Sequence, residues 1–205
     1  MNVLRIYPSS VNIKAIDQVA DELLGGGLAV YPTDTRYAIG CSALSKQATE
    51  KLCRLKQLDP ARNTLSIICG DISQASRYAR IDNEAYALLR RYTPGPYTFI
   101  LDAAPTLPKV FKGRRKVGLR IPDNPIVREL AIALDGPILT TSLKVPDVEQ
   151  GDSVSAHIVE PLAEGLGVDV MIDGGSIVDH DSTVVDITDT DNPVIVRQGV
   201  APFPR

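Results

Sequence analysis

A chain of 205 residues, 44% of them hydrophobic and with a net charge of −3, has the makings of a soluble globular protein that can bury a sizeable core. It holds no run of about 18 apolar residues, and Met1–Tyr7 alternates like a strand rather than a signal peptide, so neither a membrane span nor a leader is expected. Three widely spaced cysteines, Cys41, Cys53 and Cys69, argue against a disulfide framework and for a reducing cytoplasm; His157 and His180, without CxxC or HxxxH spacing, give no reason to expect a metal site.

Val3–Tyr7 reads as a strand. Asn12 to Leu24 follows with Ile13, Ile16, Val19, Ala20, Leu23 and Leu24 at helical spacing, and Gly25-Gly26-Gly27 ends that helix. Leu28–Tyr31 is a short apolar strand. The stretch Pro32 to Gly40 reads as its polar exit, with Thr33, Asp34, Thr35, Arg36 and Tyr37 crowded together. A plain connection needs only turn formers. Hydroxyls and both signs of charge at a strand end suit a ligand site in an open α/β sheet. Ser45 is a helix N-cap candidate, with the helix reaching about Gln57 and Ala48, Leu52 and Leu55 facing inward.

Leu65–Cys69 is a continuous apolar strand, and Ile72–Tyr78 and Asn83–Tyr92 read as short helices. Pro94-Gly95-Pro96 is a rigid turn into the strand Tyr97–Asp102. Val117–Ile121 is the next strand, and Asp123 or Asn124 starts a helix to about Leu134 with Pro125 in its first turn. Pro137–Leu143 begins apolar and becomes hydroxyl-rich. A polar loop, a helix near Ala156–Glu164 and the strands Val168–Asp173, Ser182–Ile187 and Val194–Arg197 complete the chain. Strands alternate with helices but crowd together near the C-terminus. That order predicts one α/β domain over residues 1–205, built on a mixed parallel and antiparallel sheet.

The modest net charge conceals a split. Residues 41–120 hold 15 Lys and Arg against 6 Asp and Glu, a balance of +9, and the remainder holds 7 against 19, or −12. The densest basic stretch is Lys109, Lys112, Arg114, Arg115, Lys116 and Arg120, without an acid between Pro105 and Ile121. Such a split suits a polyanion meeting one face, or else a solvated loop with compensating acids nearby in space.

Seven places carry residues that simple connections do not need. They are Thr33-Asp34-Thr35; Lys56 with Arg62; Pro94-Gly95-Pro96-Tyr97-Thr98; Arg120; Thr140-Thr141-Ser142 with Lys144; Ser182-Thr183; and Arg197. An arginine within a buried strand is costly unless an anion pairs with it, and its fork suits a carboxylate or phosphate. For Arg120 and Arg197 that anion is either a ligand or a structural acid: Asp34, Asp123 or Asp173. Lys56 could equally be a helix-end cation. No Ser-His-Asp set, P-loop or GxGxxG is present. A hydroxyl- and cation-lined pocket without an evident nucleophile or base suits positioning and charge neutralisation, as in phosphoryl or nucleotidyl transfer.

Together, in chain order, these pieces resemble the YrdC-like family, which makes threonylcarbamoyl-adenylate for tRNA modification. The carriers are Tyr31-Pro32-Thr33-Asp34-Thr35 with Tyr37 and Gly40, Lys56, Pro94 to Thr98, Arg120-Ile121-Pro122-Asp123-Asn124-Pro125, Thr141-Ser142, Ser182 to Asp186, and Arg197 before Gly199. The resemblance implies a twisted mixed sheet flanked by helices with a large electropositive cavity. It implies binding of ATP, L-threonine and bicarbonate, with magnesium accompanying the phosphates, and release of pyrophosphate. Thr35, Arg120 and Ser182 would hold threonine; Lys56, Thr98, Ser142 and Arg197 would hold ATP. The family's Lys-x-Arg-Pro reads Lys56-Gln57-Leu58-Asp59 here, and its Ser-x-Asn reads Ser142-Leu143-Lys144. Those departures look like the YciO subgroup. Arg62 and Lys144 would then supply nucleotide contacts, and adenylate synthesis is expected to be weaker. The competing readings are a tRNA- or double-stranded-RNA-binding module using the basic residues Lys109, Lys112, Arg114, Arg115 and Lys116, and a nucleotide sensor without turnover.

Overall fold

Side-chain caps start the helices where the sequence places them. Asn12 Oδ1 accepts the Ala15 amide at 3.3 Å and opens α1 (Ile13–Leu24), which buries Ala15, Ile16, Val19, Ala20 and Leu23. Ser45 Oγ accepts the Ala48 amide at 3.3 Å and opens α2 (Lys46–Leu55). The computed structural model describes residues 1–57, 66–108, 111 and 113–204. Past β4 (Ser66–Ile68), α3 (Ile72–Ala75) is a single turn and does not reach Tyr78. Ser76 Oγ donates to the Ser73 carbonyl at 2.7 Å, a local bond that competes with helix continuation. Asp82 caps α4 (Asn83–Tyr92), and Asn124 caps α5 (Pro125–Ala133) with Pro125 in its first turn.

The remaining elements are β1 (Asn2–Arg5), β2 (Ala29–Tyr31), β3 (Ala38–Ser42), β5 (Tyr97–Asp102), β6 (Lys116–Arg120), β7 (Ile138–Ser142), β8 (Ser153–Val154), α6 (Ala156–Gly165), β9 (Val170–Asp173), β10 (Ile177–Val178), β11 (Thr183–Asp186) and β12 (Val194–Arg197). Ten strands form one sheet in the order β1-β9-β2-β3-β7-β4-β6-β5-β11-β12, and β8 pairs with β10 in a small ribbon. The large sheet is mixed, as the order of elements predicts. The pairs β1/β9, β2/β9, β4/β6 and β5/β11 are parallel; β2/β3, β3/β7, β4/β7, β5/β6 and β11/β12 are antiparallel.

Three strands escape the sequence reading, β3, β8 and β10, and the first of them frames the polar turn. Ala38–Ser42 is β3, so the polar segment 32–37 is not an exit from the sheet but a turn between two paired strands. All five β3 residues are buried, so no polar alternation marks them. A Cβ on Gly40 would collide with the Tyr31 hydroxyl and the Leu139 carbonyl, so only glycine lets β3 pass between β2 and β7.

Helices cover both faces of the sheet. On one face α1 packs against α5, with Ile16, Val19, Leu23, Val127 and Leu130 against Tyr31, Ile68 and Ile138. On the other, residues of α2, α4 and α6 (Leu52, Leu89 and Val159 among them) join Val30, Ile39, Ile67, Phe99 and Leu119. Burial of these side chains, worth about 1.5–3 kcal/mol each, is the main force holding the sheet that carries the polar cavity.

A buried arginine and a hydroxyl-lined cavity

The turn between β2 and β3 is stapled by one hydroxyl. Thr33 Oγ1 donates to the Arg36 carbonyl at 2.7 Å and accepts the Thr35 and Arg36 amides, each at 3.2 Å. Thr33 and Thr35 are both 1% exposed, with their Oγ1 atoms 3.1 Å apart. The threonines therefore shape the turn as well as decorate it.

Arg120, at the end of β6, reaches this turn. Its Nη2 donates to Asp34 Oδ1 at 3.0 Å and to Thr35 Oγ1 at 3.1 Å. Asp34 Oδ2 accepts the Asp123 amide at 2.9 Å, so the acid is itself held from both sides. The Arg120 and Asp34 side chains are each 8% exposed. Of the two readings of Arg120, the structural pairing with Asp34 is present, yet it leaves donors over. Arg120 Nε is buried without a hydrogen-bond partner. Burial pulls the guanidinium below its usual pKa, with the Asp34 charge opposing that pull. A guanidinium so placed is an incomplete anion site.

Arg36 anchors the same turn on its other side. Its Nη2 lies 2.8 Å from Asp179 Oδ2 and 3.3 Å from Asp181 Oδ1, and the Thr35 carbonyl accepts the His180 amide at 2.9 Å. Burial pushes Asp179 above the usual carboxylate pKa, against the pull of Arg36. Residues 179–181 lead directly into Ser182, which is 5% exposed. Ser182 Oγ lies 3.2 Å from Thr98 Oγ1, because β11 and β5 run parallel with Thr98 opposite Val184. Arg197 Nη2 donates to Ser182 Oγ at 3.0 Å and to its carbonyl at 2.8 Å. Contrary to the expectation of a buried strand, the Arg197 side chain is 48% exposed, because β12 is the edge of the sheet. A Cβ on Gly199 would overlap the backbone of Asp181 to Thr183, so glycine there lets the chain close over this loop.

Thr98, Arg120, Ser142, Ser182 and Arg197 line one cavity of about 260 Å³. Five residues from five separate places in the sequence thus converge. Ser66, Thr140 and Thr141 add hydroxyls to the walls. Thr35 sits behind Arg120, touching it rather than lining the opening. Lys56 ends α2 as its C-cap. Burial, and then the neighbouring Lys144 charge, hold Lys56 below the usual ammonium pKa. Two like charges brought close in this way suit an anion spanning both.

The basic loop divides. Arg114 and Arg115 line a separate depression of about 870 Å³ with Arg80, Asp102 and Phe111. Lys116 is committed elsewhere, its Nζ 2.8 Å from Asp186 and 3.0 Å from the Thr188 hydroxyl. Arg62, Lys109 and Lys112 lie outside the described residues. Sequence reasoning missed Arg36, Asp179 and Asp181 as the braces of the turn and of Ser182; the available signal was an arginine in the same polar segment as Thr33, Asp34 and Thr35, matched by the acids flanking His180. Ser66 was equally missed, because nothing local distinguishes it from any serine at a strand start. Among the described residues, no group of three His, Cys, Asp or Glu side chains could hold a metal ion.

A mixed sheet with helices on both faces and a hydroxyl-lined cavity, with a half-satisfied buried guanidinium in its wall, defines the class: an α/β protein with a polar, cation-bearing cavity. The family model described as telomere recombination (Sua5, YciO, YrdC) matches residues 21–199. The chain belongs to this Sua5/YciO/YrdC family. YciO of Escherichia coli K12 is 40% identical over 197 residues, covering 95% of this chain and 94% of that protein. The E. coli YciO crystal structure matches with a TM-score of 0.85 at 38% identity, over 98% of each chain. The threonylcarbamoyl-AMP synthase of Mus musculus is 32% identical over 196 residues, covering 92% of this chain and 68% of its own. Sua5 of P. abyssi, solved in complex with L-threonine, has a TM-score of 0.81 at 29% identity, covering 97% of this chain and 58% of that one.

Proposed function

We propose that the cavity binds L-threonine and ATP together and that the protein forms threonylcarbamoyl-adenylate and pyrophosphate, with bicarbonate as the carbon source, for modification of tRNA. The observation that carries this reading is Arg120: a buried guanidinium held by Asp34 and Thr35, with Nε left unsatisfied, at the wall of a cavity lined by hydroxyls. Relatives supply the ligand class, since one is solved with L-threonine and another is a threonylcarbamoyl-AMP synthase.

In this reading Arg120 takes the threonine carboxylate, Thr35 fixes the guanidinium, and Ser182 takes a polar group of the amino acid. Arg197, Lys56 and Lys144 neutralise the triphosphate, and Thr98 and Ser142 orient it. Arg62 is assigned to the same nucleotide. The balance of the reaction is simple. The threonine ammonium gives one proton to solvent, the neutral nitrogen forms a bond to the bicarbonate carbon, and the departing hydroxide takes a second nitrogen proton and leaves as water. A carbamate oxygen then forms a bond to the α-phosphorus of ATP and pyrophosphate leaves. No nucleophile or base from the protein is needed, only alignment and charge neutralisation. Magnesium is assigned to the nucleotide, as a metal–ATP substrate.

Pyrophosphate release from ATP, dependent on both threonine and bicarbonate, tests the proposal. No release, together with no detectable ATP binding, overturns it. A second reading, RNA binding, draws on the depression shared by Arg80, Arg114 and Arg115. It requires affinity for tRNA or duplex RNA that falls steeply with salt. Salt-insensitive or absent binding removes it.

A further inference from the structure

A second cavity, of about 550 Å³, opens where β4 and β6 end side by side as parallel strands. The carboxyl ends of parallel strands are where open α/β sheets receive ligands. Its walls are largely apolar, with Ile72, Ile81, Ile121 and Tyr86 among them. Tyr86 is 45% exposed, an aromatic ring left at the edge of an apolar hollow. Two opposite charges, Asp71 and Arg128, also line it.

Those two charges do not pair with each other. Arg128 Nε donates to the Gly70 carbonyl at 3.1 Å, which fixes the guanidinium against the cavity, and among the described residues no carboxylate pairs with its terminal nitrogens. Asp71 Oδ1 accepts the Gln74 amide at 2.7 Å, and its second oxygen carries no bond among the described residues. A cation and an anion that lack charged partners among the described residues, beside apolar walls, complement a zwitterion with an apolar body.

We infer that this cavity is a second ligand site, taking an α-amino acid with a large apolar side chain. Arg128 receives the carboxylate, Asp71 the ammonium, and the isoleucines with Tyr86 the side chain. The site is distinct in chemistry from the polar cavity: Arg120, the last residue of β6, lines that one, and Ile121, just past the strand, lines this one. The inference does not rest on adenylate synthesis.

Amide shift mapping on the full chain tests it, with L-phenylalanine as probe and 3-phenylpropionate and phenethylamine as analogues lacking one charge each. L-Phenylalanine should move the amides of Gly70, Ser73, Tyr86 and Ile121 saturably, with a dissociation constant on the order of 1 mM for so small a ligand. Each analogue should bind about tenfold more weakly or worse, since each loses a charge-assisted contact. Asp71→Asn keeps the helix cap, because asparagine caps as well as aspartate, and should erase the preference for L-phenylalanine over 3-phenylpropionate. Ser76→Phe, from an exposed position, should fill the cavity and abolish the shifts while leaving the protein folded. The inference is overturned by absence of saturable shifts, by equal binding of all three probes, or by shifts that survive Ser76→Phe.

Discussion

Replacing Arg120 by methionine separates its structural role from its ligand role. The side chain is 8% exposed, and its removal strands the Asp34 carboxylate, itself 8% exposed, with the Asp123 amide as its one remaining donor among the described residues. Breaking a buried ion pair from one side costs about 3–5 kcal/mol. For a chain of this size each kcal/mol lowers Tm by roughly 2–4 °C, so Arg120→Met should melt about 6–20 °C lower. Adding Asp34→Asn removes the stranded charge and should restore a large part of that loss. Threonine affinity behaves differently. Both the single and the double variant lack the guanidinium, so both should lose the rise in Tm that L-threonine gives the native protein through preferential binding to the folded state. A thermal-shift titration with L-threonine, with and without ATP, reads both effects. Retention of the threonine shift in the folded double variant would place the carboxylate elsewhere. An Arg120→Met protein as stable as the native one would refute the claim that the Asp34 pair is energetically buried.

Three other outcomes follow from the geometry. Lys56 has a lowered pKa in the free protein, so phosphate binding should raise it and take up protons in the alkaline range below the usual ammonium pKa; calorimetry in buffers of different ionisation heat measures this, and Lys144→Met should reduce both the uptake and ATP affinity. Arg197→Ala should weaken ATP binding by about tenfold or more, as expected for loss of one charge-assisted contact, with L-threonine binding less affected; equal losses for both ligands would show that Arg197 acts by holding Ser182. Asp169 and Asp186 have depressed folded pKa values: burial opposes ionisation, but the Leu28 amide with Lys51, and Lys116 with Thr188, outweigh it. Their stabilisation is therefore complete above the unfolded value of about 3.9 and is lost as pH falls through the folded values, so Asp169→Asn should flatten the acid limb of the Tm–pH curve.

Local chemistry in the chain determined a good deal. Asn12, Ser45, Asp82 and Asn124 cap helices because each oxygen needs only an amide three residues or fewer away. Apolar periodicity marked α1 and α2, and the alternation of element types pointed to a mixed α/β sheet. The polar segment after β2 stood out for the same reason: residues with chemistry to do sat where a simple connection would not need them. What the sequence could not determine was who meets whom. Arg120 reaches Asp34 across 86 positions and Thr98 meets Ser182 across 84. Those pairings depend on strand order, and strand order is set by the burial of whole faces rather than by any local pattern. The same tertiary choice placed Arg197 on an exposed edge, turned the supposed exit at residues 32–37 into a stapled turn between β2 and β3, and set Arg120 at the end of β6 and Ile121 just past it in the walls of two different cavities.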